Sequence, residues 1–227
     1  MKKLNLILLI AISLQLNSCA TTTKDSVSGV NRSQFMLLPE SQVVAMSSQS
    51  YAQTLQASQK KNTLNTNKAQ LERVRAISNR LIAQVGVFRP DAVQWKWEVN
   101  VDKSDQVNAY CMPGGKIMVL TGLIDQLKAT DDELGAVIGH EIAHALREHG
   151  RERMSQAYIQ QFGLQALGAM LSNGTSAAVG NASMQAASVG SQLFFALPNS
   201  RLQETEADKI GLELSARAGF NPEAAIT

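Results

Sequence analysis

The run His140-Glu141-Ile142-Ala143-His144 constrains this chain of 227 residues more than any other feature. Positions i and i+4 share one face of a helix, one turn apart, so both imidazoles reach a common point only if the segment is helical. A zinc ion needs that convergence from two of its protein ligands. Glu141 sits between them, placed to take a proton from a metal-bound water. Zinc-dependent hydrolysis is therefore the first expectation. It requires a fold that carries a third ligand to this helix from elsewhere.

The local sequence predicts where the helix starts and stops. Thr130 followed by Glu133 is a capping-box start. Leu134, Ile138, Ile142 and Ala145 form an apolar face, and the two histidines point away from it. Gly150 reads as the helix C-terminus. The third histidine of the chain, His149, lies nine residues past His140 and is rotated by about half a circle on a continuing helix. It reads as a C-terminal residue favoured by the helix dipole. Glu148 shares the histidine face but lies about 12 Å along the axis from His140. It reads as a surface or ion-pairing residue.

The rest of the chain reads as α+β, mostly helical. Helices are expected over about 39–59 and 67–85, the second from the spacing of Leu71, Val74, Ile77, Leu81 and Ile82. Val93, Trp95, Trp97, Val99 and Val101 alternate with a period of two, which predicts a strand. Further strands are expected near 107–111 and at Lys116 to Leu120, joined through Pro113-Gly114-Gly115. Thr121-Gly122 opens a short helix ending near Lys128. Residues 151–172 read as helix, and the Ala/Ser/Gly-rich stretch 173–191 as a linker or a loop over the site. Pro198-Asn199-Ser200 starts another helix, which Gly219 ends, and Asn221-Pro222 restarts the chain. Cys111 reads as a small buried hydrophobe in a strand.

The N-terminus reads as an export leader. Lys2 and Lys3 precede an apolar run from Leu4 to Leu16 that is shorter than the roughly 20 residues a membrane span needs. Leu16-Asn17-Ser18-Cys19 resembles the bacterial lipobox, which implies lipidation of Cys19 as the first mature residue. Ala20 follows rather than aspartate, so the expected address is the periplasmic side of the outer membrane. The resulting division is a signal peptide over 1–18, a flexible tether over 19–34 and a single domain over 35–227. The formal charge of +2 comes from Lys2 and Lys3. Without them the chain lacks the clustered basic excess of a nucleic-acid binder, and no nucleic-acid partner is expected.

A third ligand is available in Ser200-Arg201-Leu202-Gln203-Glu204-Thr205-Glu206-Ala207-Asp208. Glu204 and Asp208 are four apart and share a face, and Glu206 lies off it. The pattern resembles the second helix of gluzincin peptidases. With Asn108-Ala109-Tyr110, Gly114-Gly115, Thr121-Gly122-Leu123 and Gly139 to His144, the chain resembles peptidase family M48, the group of HtpX and the CAAX prenyl proteases, in its periplasmic lipoprotein form. The resemblance implies a zincin-like domain with a small sheet and an active-site helix. It implies one Zn2+ held by His140, His144 and Glu204, with Glu141 as general base and Asp208 as the acidic residue that completes the catalytic set. Implied substrates are polypeptides, in particular misfolded or misassembled envelope proteins. Separately, the strand at Lys116 to Leu120 is expected to offer its edge to an extended substrate by β-addition. Family members continue past the equivalent of residue 227 to a histidine-proline pair, so the chain reads as shortened at its C-terminus. Two other readings are compatible with the residues: an assembly or chaperone-like lipoprotein that binds without hydrolysis, and a zinc hydrolase of peptidoglycan peptides.

Overall fold

The computed structural model describes residues 19–24, 26–160 and 197–225. The leader 1–18, the Ala/Ser/Gly-rich stretch 173–191 and the end of the helix expected over 151–172 lie outside these. In chain order the described elements are β1 (Cys19–Ala20), β2 (Gln34–Phe35), α1 (Glu40–Lys60), α2 (Lys68–Ile82), α3 (Val85–Phe88) and a 3-10 turn (Pro90–Gln94). They continue with β3 (Glu98–Asp102), β4 (Ala109–Met112), β5 (Lys116–Leu120), α4 (Thr121–Asp125), α5 (Asp131–Leu146), α6 (His149–Tyr158), α7 (Arg201–Arg217) and a 3-10 turn (Pro222–Ala225). Among the described residues, no helix is long and apolar enough to cross a membrane.

One apolar core joins α2, α5 and α7 to the sheet. Val74 and Leu81 of α2, Leu134, Ile138 and Ile142 of α5, Ile210 and Leu214 of α7 and Val119 of β5 are all at most 1% exposed. Each such large aliphatic side chain contributes about 1.5–3 kcal/mol through removal from water. A smaller cluster of Tyr51, Met112 and Met118 fastens α1 across the sheet. There the Tyr51 hydroxyl donates to the carbonyl of Ile117 at 2.6 Å.

The three-stranded sheet has the order β3-β5-β4, with β3 and β5 parallel and β4 and β5 antiparallel. This corrects the expectation that Lys116 to Leu120 offers its edge to a substrate. That strand is central, with Lys116 in register with both Glu98 and Met112. The reason is the tight turn before it. Gly114 and Gly115 take φ of +79° and +81°, a conformation that favours glycine, and fold β4 back onto one side of β5. On its other side β3 arrives in parallel.

The alternating pattern 93–101 becomes strand only from Glu98. Pro90 opens a 3-10 turn instead, and Val93 is 57% exposed. The Trp97 indole donates back to the carbonyl of Ala92 at 2.8 Å and so secures the turn. A second departure is the tether. Cys19–Ala20 pairs antiparallel with Gln34–Phe35, and Gln34 is fully buried. The described residues among 19–35 are packed on the domain because several of their polar side chains find partners inside it, as described below.

Candidate active site

The active-site helix α5 starts where the sequence places it. Thr130 Oγ1 accepts from the Glu133 amide and the Glu133 carboxylate accepts from the Thr130 amide, a complete capping box. Its end differs from expectation. The helix stops at Leu146 and Gly150 is buried inside α6. Glu148 makes the turn, with φ of +52°. Such a conformation is uncommon for a residue with a Cβ, and here it is held by ion pairs from Glu148 to Arg151 at 2.9 Å and to Arg89 at 3.5 Å. Glu148 is therefore an ion-pairing residue, but a buried one at 4% exposure.

The second helix of the site, α7, carries the same start signal. Ser200 and Gln203 form its capping box. Its approach to α5 runs through two glycines. A Cβ at Gly211 would lie 2.7 Å from the Cα of His140, and one at Gly139 would lie 2.5 Å from Ser215 Oγ. Ser215 in turn donates to the carbonyl of Gly135 at 3.0 Å. Glu204, Asp208, Gly211 and Ser215 fall on one stripe of α7, so this close contact sets how far Glu204 reaches toward the histidines.

His140, His144 and Glu204 converge. Each offers one ligand atom, and these atoms all lie within 4.8 Å of one another. The two Nε2 atoms are 3.0 Å apart, and Glu204 oxygens lie 3.3 Å from His140 Nε2 and 3.6 Å from His144 Nε2. A tetrahedral ion with ligand bonds of about 2.0–2.1 Å separates its ligand atoms by about 3.3 Å. The Nε2–Nε2 and His140–Glu204 distances lie within a few tenths of an ångström of that value, so the residues present fit a zinc ion. Asp208 Oδ1 lies 2.9 Å from Nδ1 of His140, which directs the Nε2 lone pair of that ring to the common point.

His144 has a different support. Its Nδ1 lies 2.8 Å from Nδ1 of His149, and Nε2 of His149 lies 3.0 Å from Glu206 Oε2. This corrects the reading of His149 as a helix-end residue. It begins α6, is fully buried, and its ring meets His144 edge-on with centroids 4.9 Å apart. Glu206 lies outside the ligand cluster, as its place off the face implies, but it anchors His149. Sequence spacing missed the pair because the left-handed Glu148 breaks the continuous helix on which the rotation was reckoned. The available signal was a histidine in excess of the metal's needs, close in sequence to two ligands.

The electrostatics agree with these contacts. Burial, with the neighbouring His149 and His140, lowers the His144 imidazole to about 2, so it stays neutral, the form in which an imidazole can ligate a metal. Burial likewise lowers His149. Burial works to raise the Glu206 carboxyl, but hydrogen bonds from His149 and Arg32 and the charges of Arg147 and Arg32 pull it down to about 2. Glu141 is pushed up to about 8 by burial and by the charge of Glu204, against a smaller opposing effect of Arg153. Cys111 is buried in β4 and burial raises its thiol, which suits a packing residue rather than a nucleophile. A cleft of about 900 Å³ opens beside His140 and Asp208, lined by apolar groups including Leu123, Leu127, Val137, Leu212 and Pro222.

Comparison with known proteins identifies the family. The sequence model described as Peptidase family M48 matches residues 68–227. The chain belongs to peptidase family M48. The three-stranded sheet and the α5–α7 pair are the zincin-like metalloprotease domain of that family, whose peptidases are zinc-dependent. Among its relatives is the mitochondrial metalloendopeptidase OMA1 of Arabidopsis thaliana, 41% identical over 135 residues, or 58% of this chain and 24% of that protein. The mitochondrial metalloendopeptidase OMA1 of Saccharomyces cerevisiae is 35% identical over 137 residues, 60% of this chain and 36% of that protein. The beta-barrel assembly-enhancing protease of Yersinia pestis is 28% identical over 155 residues, 66% of this chain and 30% of that protein. The M48 chain thus spans about a quarter to just over a third of the length of these relatives.

Proposed function

We propose that this chain is a zinc-dependent endopeptidase anchored in the bacterial cell envelope through a lipid on Cys19, at the periplasmic face of the outer membrane. His140, His144 and Glu204 hold the ion. The observation that carries the reading is the convergence of these three side chains with Glu141 on the same helix turn. When bound, zinc polarises the scissile carbonyl and lowers the pKa of a water molecule. Glu141 takes a proton from the attacking water and passes it to the leaving amine. Asp208 holds His140 in the orientation that ligation needs.

The apolar cleft beside His140 supports polypeptide substrates that expose hydrophobic side chains. Misfolded or misassembled envelope proteins have that property, and the name of the Yersinia relative, a beta-barrel assembly-enhancing protease, points the same way. The test is cleavage of casein and of a denatured outer-membrane protein by the full chain in detergent. Glu141→Gln is expected to slow cleavage by about 100- to 10,000-fold, the usual share of general acid–base catalysis, while zinc stays bound. Undiminished turnover in that variant overturns the mechanism. Tight polypeptide binding without cleavage by the zinc-loaded wild type favours an assembly protein instead.

A further inference from the structure

Arg32 lies in the segment that leads from Cys19 into the domain, and its guanidinium is inserted between two buried carboxylates, one on α6 and one on α7. Nη1 and Nη2 donate to the two oxygens of Glu152 on α6 at 2.6 and 2.9 Å. Nε and Nη2 donate to the two oxygens of Glu206 on α7 at 2.8 and 3.1 Å. Both contacts use the planar fork that distinguishes arginine from lysine. Glu152 and Glu206 are 2% and 4% exposed.

Arg32 is the cation that hydrogen-bonds both carboxylates. Arg147, fully buried, approaches Glu206 with Nη2 at 3.4 Å, and Arg153 acts on Glu152 through its charge. Without Arg32, Glu152 keeps the hydrogen bonds from Gln34 and Gln203 but loses its contacting cation, and breaking a buried ion pair is costly. Several further contacts of the segment serve the same cluster. Gln34 Nε2 donates to the Arg147 carbonyl at 2.7 Å and to Glu152 at 3.1 Å. Arg147 Nη1 donates to Thr23 at 3.3 Å, and its Nη2 to the carbonyl of Arg32 at 3.0 Å.

Glu206 is also the group that fixes His149, and His149 faces the ring nitrogen of His144 turned away from the ligand point. We propose that Arg32 is a positioning residue of the metal centre, and that docking of segment 19–35 sets how tightly His144 is held for ligation. Arg32 fixes Glu206, Glu206 fixes His149, and His149 fixes His144. The proposal rests on the metal-site reading given above. Its consequence is that the stretch adjoining Cys19 is part of the enzyme's working structure, so lifting it loosens the site.

The test measures zinc affinity of the full chain in detergent by competition with a chromophoric chelator, with visible bands of the Co2+-substituted protein as a second readout. Arg32→Ala is expected to weaken zinc about 10- to 100-fold, the range seen when groups supporting a ligand are lost, and to shift the cobalt bands. Arg32→Lys keeps the charge without the fork and is expected to fall between the two. It also carries the test should the alanine variant fail to fold. Arg73→Ala, which removes a surface pair with Asp131, is expected to match wild type. Zinc affinities of both Arg32 variants within about twofold of wild type, with unaltered cobalt bands, overturn the proposal. A wild type that holds no zinc overturns the metal-site reading and this inference with it.

Discussion

Nδ1 of His149 faces Nδ1 of His144 at 2.8 Å, and a single proton between them settles both tautomers. With the Nε2 lone pair of His144 turned to the ligand point, its Nδ1–H donates to His149. The proton of His149 then sits on Nε2 and is donated to Glu206. His149→Phe keeps the packing and removes both bonds. Zinc affinity is expected to fall about 10- to 100-fold, read by chelator competition, with the far-ultraviolet circular dichroism retained.

Removing the metal or a ligand has a sharper expected effect. A strong chelator should abolish cleavage, and added zinc should restore it. His144→Ala and Glu204→Ala should each leave the chain without stoichiometric zinc after dialysis, measured by atomic absorption. Retention of one zinc per chain in both variants would show that the ion sits elsewhere.

Gly211→Ala tests the contact that brings α7 to α5. The added methyl would meet the backbone of His140, which cannot swing aside as a flexible side chain can. Overpacking of this kind costs about 1–3 kcal/mol. The variant is expected to unfold at lower denaturant concentration and to bind zinc more weakly, because Glu204 rides on the displaced helix. Equal zinc affinity would detach the third ligand from this contact.

Acid should strike the buried cluster in a defined window. Glu206 is held at about 2 in the folded chain, below the ordinary value of 4.5. A carboxyl depressed on folding contributes stability that is present above its unfolded value and lost as pH falls through the folded one. Urea midpoints of wild type and Glu206→Gln should therefore differ most near neutral pH and converge between about pH 4.5 and 2. A constant difference across that window would mean that Glu206 does not act through its charge.

The start of the active-site helix is a simpler matter. Thr130→Ala removes the capping oxygen that accepts from Glu133. The expected loss is about 1 kcal/mol of stability, seen as a lower melting temperature, with zinc affinity unchanged.

Most of the framework is legible in residue patterns because it depends on short-range rules. The capping boxes at Thr130 and Ser200 and the helical spacing of Leu71 to Leu81 each declare themselves within a few residues. The convergence of His140, His144 and Glu204 follows from two helical faces plus a known family pattern. What escaped has a different physical origin. The central position of Lys116 to Leu120 depends on a parallel pairing with a strand eighteen residues earlier. The left-handed Glu148 is paired with Arg89 and Arg151, one of them far away in sequence. Arg32, Glu152 and Glu206 look like ordinary surface charges in sequence, since nothing local announces that opposite charges will meet inside the fold.

The fold-back at Glu148 has a consequence for anyone wishing to move this chemistry to another scaffold. A straight helix bearing the H-E-x-x-H residues would transplant two donors and a base, but leave the second donor free to rotate about its own side-chain bonds. The smallest portable unit is discontinuous: the helix, its sharp bend, the following turn of α6, the facing stripe of α7 and a strip of chain from far upstream. Grafts that copy only the contiguous motif should bind metal loosely and exchange it quickly.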